Sequence, residues 1–318
     1  MLGLGLLFGN SFDPATDLLD LTGKVIFISG ANTGIGYHSA KLLARRGAKV
    51  YVGARNEAKG KAAVEALQAE GIGHGQVIYH ECDISTPHQA KSSALEFLKR
   101  EDRLDILGER FSKPECIMRA ERLIYSVLNY IGVFVFTNTL LPLIEKTAKE
   151  PDSDVRVVIV SSKAHTMGPT PNPNIRFNNL DQFKNTYEKE SIPYFARYCI
   201  SKLALTTYSH ALQRRLPSNV ICVTLNPGLV HTSVGNHVKY ARLANLALWL
   251  FAKRPEEGSF TTLFAAASPK VKAEAEKYKA TFLMPVGVIS NPSPHVLKHD
   301  MQEDLWATTE KYLADIGL

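Results

Sequence analysis

The sequence predicts an α/β protein with a doubly wound parallel sheet and helices on both faces. Short apolar runs bounded by turn residues recur along the chain, which is typical of strands buried on both faces. Stretches with helical spacing separate these runs, and the first run leads through a glycine-rich turn into a helix. The length of 318 residues and the hydrophobic fraction of 45% suit one domain with a single core.

The first strand and the turn that follows it predict a phosphate site. The strand is expected over Lys24–Ser29, and the turn Gly30–Gly36 reads GANTGIG before helical spacing begins. Glycine permits φ > 0 and the close approach of an anion, which would face backbone N–H groups and the positive end of the helix. The candidate phosphate-binding residues are Gly30, Asn32, Gly34, Ile35 and Gly36.

The second predicted strand, Ala48–Arg55, ends where a dinucleotide fold meets the adenosine ribose. An acidic residue there binds the ribose 2′-hydroxyl of NAD, whereas an arginine suits a 2′-phosphate. Arg55, with Lys59 one turn later, therefore predicts NADP(H), and Glu57 is a mild signal to the contrary. The alternative is that Arg55 is a solvated charge at the start of a helix.

The third predicted strand, Val77–Cys82, is followed by Asp83. We expect the Asp83 carboxylate either to bind the adenine amino group or to cap the helix that begins near Ser85–Pro87. The two roles are compatible. Two further strands, Val155–Val160 and Val220–Leu225, complete the predicted sheet with a fourth strand described below.

Tyr198 and Lys202 form the candidate catalytic pair, since residues four apart on a helix are neighbours. A cation about 4 Å from the phenolate is worth roughly 4 kcal/mol at an effective dielectric of ~20, or about three pKa units. Such a shift would bring the pKa of the tyrosine to about 7, where acid–base catalysis works best. The chain holds a second Tyr-x-x-x-Lys, Tyr37 and Lys41, which we interpret as helix surface.

In order along the chain, several motifs resemble those of the short-chain dehydrogenases/reductases. They are Gly30-xxx-Gly34-x-Gly36, Asp83, Asn129, Ser161-Ser162, Tyr198-xxx-Lys202 and NPGLVHT at Asn226–Thr232. The resemblance spans about residues 20 to 290 and implies a Rossmann-type fold, with an N-terminal extension at residues 1–20 and the family domain at residues 21–318. The long spacing between Ser162 and Tyr198 resembles the retinol-dehydrogenase and WW-domain-oxidoreductase branch.

The resemblance also implies roles for the matching residues. Tyr198 would exchange a proton with the substrate oxygen, and Lys202 would lower the pKa of Tyr198 and hold the nicotinamide ribose. Ser162 would donate a hydrogen bond to the carbonyl oxygen, and Asn129 would hold a water that links Lys202 to solvent. The expected contacts with NADP(H) are Gly30, Asn32, Gly34, Ile35, Gly36, Arg55, Asp83, Asn129, Tyr198, Lys202, Val230 and Thr232.

One segment departs from the family pattern. The family has Asn-Asn-Ala-Gly after the fourth strand, predicted here over Leu104–Leu107, and residues 108–127 contain no such motif. Two explanations are open: an error in the gene model, or a genuine loss that weakens or abolishes cofactor binding. The expected function is hydride transfer between NADP(H) and a carbonyl or secondary alcohol. The alternatives are a catalytically impaired nucleotide-binding homologue and, more distantly, a dehydratase or epimerase.

Two segments are expected to contact the small-molecule substrate: a loop rich in Pro and Asn at residues 163–197 and a lid at residues 233–257. Apolar side chains in the second, among them Leu243 and Trp249, favour an apolar substrate such as a terpenoid, polyketide, sterol or retinoid-like compound, although they would also suit the core. The apolar stretch Leu243–Ala252 fits a lid or a subunit contact in a homo-oligomer better than a peripheral membrane contact. A last amphipathic helix is predicted over Asp304–Ile316, docking on the sheet or on a neighbour.

Composition and charge argue against several other classes. The net charge of +6 is scattered through the helices without a basic strip that alternates with aromatic residues, so no nucleic-acid partner is expected. The four cysteines lack a Cys-x-x-Cys motif and are expected to be buried thiols. The histidines form no His-Glu-x-x-His motif, so no metal site is expected. No apolar run reaches transmembrane length and the short apolar N-terminus lacks a basic lead, so we expect a cytoplasmic protein.

Overall fold

The computed structural model describes residues 12–109, 125–230 and 253–318. An eight-stranded sheet lies at its centre, in the spatial order β3-β2-β1-β4-β5-β6-β7-β8. The strands β1 to β7 run parallel, and β8 pairs with β7 in the antiparallel direction. The strands are β1 (Val25–Ser29), β2 (Lys49–Ala54), β3 (Gln76–Glu81), β4 (Ile106–Glu109), β5 (Val155–Val160), β6 (Val220–Leu225), β7 (Thr281–Met284) and β8 (Val288–Ser290).

Helices cover both faces of the sheet. One buried hydrophobic cluster lies between the sheet and α3, α4, α6 and α10, and a second lies between the sheet and α1, α2 and α7. A short 3₁₀ turn, Lys163–Thr166, follows β5. The helices are α1 (Gly34–Arg45), α2 (Glu57–Ala69), α3 (Pro87–Leu98), α4 (Tyr125–Ala148), α5 (Asp181–Lys184), α6 (Pro193–Gln213), α7 (Pro255–Ala267), α8 (Pro269–Ala273), α9 (Ala275–Tyr278) and α10 (His299–Asp315).

The strand sequences explain this two-sided packing. Side chains alternate between the faces of a sheet, so a strand covered on both sides is apolar throughout. In β1, Val25 and Phe27 join one cluster and Ile26 and Ile28 join the other. The predicted doubly wound α/β fold is therefore confirmed.

Two elements differ from their predicted bounds by more than one residue. The fourth strand was expected over Leu104–Leu107, but β4 spans Ile106–Glu109. The predicted strand ended before the charged residue Glu109. In the structure the Glu109 side chain is buried, and the residue pairs with Ile159 of β5. The last helix begins at His299 instead of Asp304, because Met301 in its first turns is fully buried.

The last helix, α10, which was expected to dock on the sheet or on a neighbour, packs against α4 and α6. The Trp306 ring lies 4.9 Å from the Phe134 ring on α4 and 5.8 Å from the Tyr208 ring on α6 (centroid distances). The guanidinium of Arg215 covers the Trp306 ring at 4.0 Å. Since α6 carries Tyr198 and Lys202, this packing helps to fix the candidate catalytic helix.

Truncation of Leu305 on α10 tests this packing. Leu305 is fully buried, so Leu305→Ala is expected to lower the free energy of unfolding by about 2–5 kcal/mol. The matched variant Leu297→Ala removes the same atoms from a side chain that is 59% exposed, and it should change stability by less than about 0.5 kcal/mol. Urea unfolding of both variants measures the difference. Equal stabilities would contradict the packing of α10.

Candidate active site

Helix α6 brings Tyr198 and Lys202 together at the end of β5. The Lys202 Nζ lies 5.7 Å from the centroid of the Tyr198 ring. The same Nζ donates a hydrogen bond of 3.0 Å to the carbonyl oxygen of Val160, the last residue of β5. Lys202 is only 1% exposed, and a buried ammonium needs such a partner. The positive charge is therefore held beside the half-buried phenol.

The second Tyr-x-x-x-Lys has a different environment. Lys41 is buried, contrary to our surface interpretation, and its Nζ pairs with Glu70 at 3.1 Å. The Tyr37 hydroxyl donates to the same carboxylate at 2.6 Å. Burial and this neighbouring carboxylate raise the pKa of Tyr37 to about 12. Tyr37 is therefore unsuited to proton transfer near neutral pH.

The two serines after β5 have separate environments. Ser161 is buried, with its Oγ 2.8 Å from Thr206 Oγ1 and 3.2 Å from the Lys202 carbonyl oxygen. Ser162 is half-buried and caps the 3₁₀ turn, where its Oγ accepts a 3.2 Å hydrogen bond from the Ala164 N–H. Because the Ser162 oxygen acts as an acceptor there, its hydroxyl hydrogen can be donated to another group.

The glycine-rich turn has the geometry that a phosphate needs. Gly30 and Gly34 have φ values of 63° and 58°, which favour glycine. A Cβ on Gly36 would lie 2.6 Å from the Gly30 carbonyl oxygen, so only glycine fits there. The first turn of α1 contains no acidic residue that would repel an anion. The turn therefore fits the pyrophosphate of a dinucleotide.

Val230 and Ile35, both buried, meet at Gly258 near the start of α7. A Cβ on Gly258 would lie 2.6 Å from Val230 Cγ2 and 3.3 Å from Ile35 Cγ1. The residues after β6 are thereby packed next to the glycine-rich turn. Of the other expected cofactor contacts, the Asn129 side chain and Thr232 lie outside the described residues.

A pocket of about 480 Å³ opens between the glycine-rich turn and α2. Arg55 is exposed at the end of β2, and Asn56 caps α2 by accepting a 2.9 Å hydrogen bond from the Lys59 N–H. Glu57, the contrary signal for NADP(H), pairs with Lys61 at 2.8 Å. The pocket is lined by Asn32, Thr33, Tyr37, Lys59, Ala62, Ala63 and Ala66.

Asp83 does not cap a helix, so that part of the prediction is wrong. Thr86 caps α3 instead, with Pro87 following at the first helical position. The Asp83 carboxylate accepts a 2.9 Å hydrogen bond from the Ser85 N–H and closes a tight turn. Its second expected role, adenine binding, stays a prediction.

Glu109 is the last residue of β4, although the sequence predicted that this strand ends at Leu107. Its side chain is 1% exposed, and the Ser29 hydroxyl at the end of β1 donates to it at 2.8 Å. Burial raises the pKa of the Glu109 carboxyl to about 8, against the opposing effect of the Ser29 hydrogen bond. The group is therefore mostly a neutral acid at pH 7. Residues 110–124 of the segment without Asn-Asn-Ala-Gly lie outside the described residues, and its last residues, 125–127, begin α4.

The first segment predicted to contact substrate, residues 163–197, is more ordered than a loop. It contains the 3₁₀ turn and α5, and α6 already begins at Pro193. Most of the second segment, including the apolar stretch Leu243–Ala252, falls in residues 231–252, which the structure does not describe. In its described part, α7 begins at Pro255.

The remaining expectations concern cysteines, metals and membranes. Cys82, Cys199 and Cys222 are buried free thiols, as predicted, and burial raises the pKa of Cys199 to about 12. Among the described residues, no cluster of His, Cys, Asp or Glu has the arrangement of a metal site. Within the same ranges, no helix combines the length and apolar character needed to cross a bilayer.

Comparisons with known proteins agree with this geometry. A family model described as short chain dehydrogenase matches residues 24–173. A short-chain dehydrogenase/reductase of Armillaria gallica is 39% identical over 307 residues, covering 93% of this chain and 94% of the relative. Human retinol dehydrogenase 14 is 33% identical over 277 residues, covering 80% of this chain and 77% of the relative.

Solved structures share the fold. RhlG of Pseudomonas aeruginosa, in an active-site complex with NADP, superposes with a TM-score of 0.62 at 22% identity, covering 84% of this chain and 96% of RhlG. At this level of identity the likeness shows the fold alone.

Replacement of Glu109 tests its burial as a neutral acid. Because its pKa is raised from 4.5 to about 8, its contribution to stability is complete below pH 4.5 and is lost as the pH rises through 8. Relative to Glu109→Gln, the wild type should lose up to about 1.4 kcal/mol per pH unit in this window. Urea unfolding at pH 5, 6.5 and 8 measures this difference. The exposed Glu188→Gln serves as the control, and parallel curves for wild type and Glu109→Gln would contradict the assignment.

Proposed function

Since this chain belongs to the short-chain dehydrogenases, a family of oxidoreductases, we propose that it transfers a hydride between NADP(H) and a carbonyl or secondary alcohol. The observation that carries the proposal is the buried Lys202 ammonium, anchored on β5 and held 5.7 Å from the centroid of the Tyr198 ring. This pair is suited to proton transfer at neutral pH, because the cation favours the phenolate.

The roles of the protein residues follow from their environments. Tyr198 donates its phenolic proton to the substrate oxygen during reduction and takes it back during oxidation. Ser162 donates its hydroxyl hydrogen to the same oxygen, since its own Oγ is held by the Ala164 N–H. Lys202 stabilises the phenolate that remains. The nicotinamide, when bound, supplies or accepts the hydride.

The preference for NADP(H) over NAD(H) rests on charge around the pocket beside the glycine-rich turn. Lys59 lines this pocket, and Arg55 is exposed where β2 ends. The neighbouring carboxylate of Glu57 is paired with Lys61, which reduces its repulsion of a phosphate. The positive charges of Arg55 and Lys59, together with the pairing of Glu57 with Lys61, favour the 2′-phosphate of NADP(H).

An apolar substrate is supported by exposed hydrophobic side chains in the segments next to the candidate catalytic residues. Met167 ends the turn that begins at Ser162 and is 47% exposed, and Ile192, just before α6, is also 47% exposed. Leu229, in the turn after β6, is 56% exposed. Exposed large apolar groups commonly mark binding surfaces. The name of the human relative, retinol dehydrogenase 14, also refers to an apolar alcohol.

A catalytically impaired, nucleotide-binding homologue is the second candidate. The observation that favours it is the missing Asn-Asn-Ala-Gly, with buried Glu109 at the end of the strand that this motif follows. Titration with NADPH, followed by nicotinamide fluorescence, and turnover of apolar ketones and aldehydes at 340 nm separate the two. Binding without turnover would favour the impaired homologue.

A pair of Tyr→Phe variants tests the catalytic tyrosine. Tyr198→Phe removes the proton donor and should lower kcat by about 10²- to 10⁴-fold, while NADPH still binds. Tyr37→Phe makes the same change in the second Tyr-x-x-x-Lys and should leave kcat at saturating NADPH within about threefold of wild type. The readout is NADPH oxidation at 340 nm. Turnover that survives in Tyr198→Phe would remove this residue from the mechanism.

Removal of the two basic side chains tests cofactor preference. Arg55→Ala and Lys59→Ala should each weaken NADPH binding by about 10- to 100-fold, the value of a hydrogen bond to a charged group, and leave NADH binding unchanged. Lys311→Ala, on the distant and exposed face of α10, controls for the lost net charge. Fluorescence titrations with both cofactors measure the ratio. Equal losses for NADPH and NADH would reject the proposed 2′-phosphate contact.

A further inference from the structure

His165 is a fully buried histidine in the 3₁₀ turn that Ser162 begins. Its Nδ1 lies 2.7 Å from the Ser162 carbonyl oxygen. Its Nε2 accepts a 3.0 Å hydrogen bond from the backbone N–H of Ser293. Both ring nitrogens are therefore engaged with the backbone, although the two partners are far apart in sequence.

These two contacts define the protonation state of the His165 ring. A nitrogen that accepts from an N–H carries no proton, so Nε2 is unprotonated. The Ser162 carbonyl oxygen can only accept, so Nδ1 carries the proton and donates it. His165 is thus a neutral imidazole in the Nδ1–H tautomer.

The Ser162 carbonyl is fixed from two directions by the same residue. It accepts the His165 backbone N–H at 3.1 Å as well as the Nδ1–H. The Ser162 Oγ meanwhile accepts from the Ala164 N–H. The orientation of the Ser162 peptide, and with it the starting point of the hydroxyl side chain, is thereby set by three hydrogen bonds.

On its other side, His165 contacts the C-terminal loop, residues 291–298. In this loop the Val296 N–H donates to the Ser293 carbonyl at 2.9 Å, and the Gln302 side chain on α10 donates to the Val296 carbonyl at 2.6 Å. The His165 ring also packs on Phe282 of β7, with 4.4 Å between centroids. A continuous set of contacts therefore runs from α10 to Ser162.

We propose that His165 is a positioning residue, which holds Ser162 for catalysis through the hydrogen bond from Nδ1 to the Ser162 carbonyl oxygen and joins it to the C-terminal loop. The proposal rests on the proposed function, in which Ser162 donates to the substrate oxygen. His165 acts through Ser162 and not on the substrate. Its two nitrogens have separate tasks: Nδ1 orients the serine, and Nε2 secures the ring.

The electrostatic surroundings of His165 favour the neutral ring. Burial, helped by the nearby charge of Lys163 on the same turn, lowers the pKa of His165 to about 4, although the hydrogen bond to the Ser162 carbonyl opposes this effect. His210 on α6 is close enough to interact with it and is itself kept neutral, because burial lowers the His210 pKa to about 4. The hydrogen bonds of His165 therefore persist at neutral pH.

Two substitutions separate the tasks of the nitrogens. In His165→Asn, the side-chain amide N–H takes the place of Nδ1–H and the acceptor for Ser293 is lost. In His165→Gln, the longer amide reaches the Nε2 position, so that the acceptor for Ser293 is kept and the donor to Ser162 is lost. We expect His165→Asn to retain kcat within about threefold and His165→Gln to lose about 10- to 100-fold, the effect of a misplaced catalytic group.

The measurement corrects for folding and cofactor binding. Turnover at saturating NADPH is divided by the fraction of protein that binds NADPH, and KM for NADPH should be the same in both variants. A loss of kcat that follows thermal stability, equal losses in the two variants, or no loss in His165→Gln would overturn the proposal.

A readout without turnover distinguishes this proposal from the proposed function. In protein labelled with ¹⁵N-histidine, the His165 ring should show a protonated Nδ1 and an unprotonated Nε2 from pH 6 to pH 8. The opposite tautomer or a charged ring would overturn the positioning role. Wild-type protein with the expected tautomer but no turnover on any carbonyl would reject the proposed function and leave the link between His165 and Ser162 established.

Discussion

The Lys202 ammonium is buried between α6 and the sheet, and its hydrogen bond to the Val160 carbonyl oxygen is the interaction on which the candidate site depends. An unpaired charge in this position would be strongly destabilising. The bond ties the middle of a helix to the end of β5, next to Ser161 and Ser162. One contact thus places the ammonium beside the Tyr198 ring and sets the distance between the candidate tyrosine and serine segments.

Electrostatic environment, and not spacing, separates the two Tyr-x-x-x-Lys pairs. The Lys41 charge is shared with Glu70, and the same carboxylate helps to raise the pKa of Tyr37 to about 12. The Lys202 charge has a neutral carbonyl as its partner, so its field on Tyr198 is not cancelled by that partner. The hydrogen bond to Val160 therefore leaves the positive charge of Lys202 beside the Tyr198 ring, where it favours the phenolate.

The serine segment is supported in a similar way, by contacts with distant parts of the chain. His165 connects the Ser162 carbonyl to the C-terminal loop, and Gly168 lets the chain pass beside α6, where a Cβ would lie 3.1 Å from Cys199 Sγ. Next to the glycine-rich turn, the Ser29 hydroxyl donates to buried Glu109 and joins the ends of β1 and β4. Buried polar residues thus connect the strand ends that surround the candidate site.

Local patterns in the sequence were sufficient to predict the fold and the candidate site. Apolar runs predicted β1, β2, β5 and β6 to within a residue at each end, and glycine requirements predicted the turn at Gly30–Gly36. Only the tertiary structure showed that Ser161 is buried, moved Asp83 from a helix cap to a turn, placed Glu109 inside β4 and brought His165 into contact with Ser162 and Ser293. The physical reason is that periodicity and turn chemistry act between near neighbours, whereas burial and hydrogen-bond partners come from residues far apart in the chain, as Val160 and Lys202 or His165 and Ser293 demonstrate.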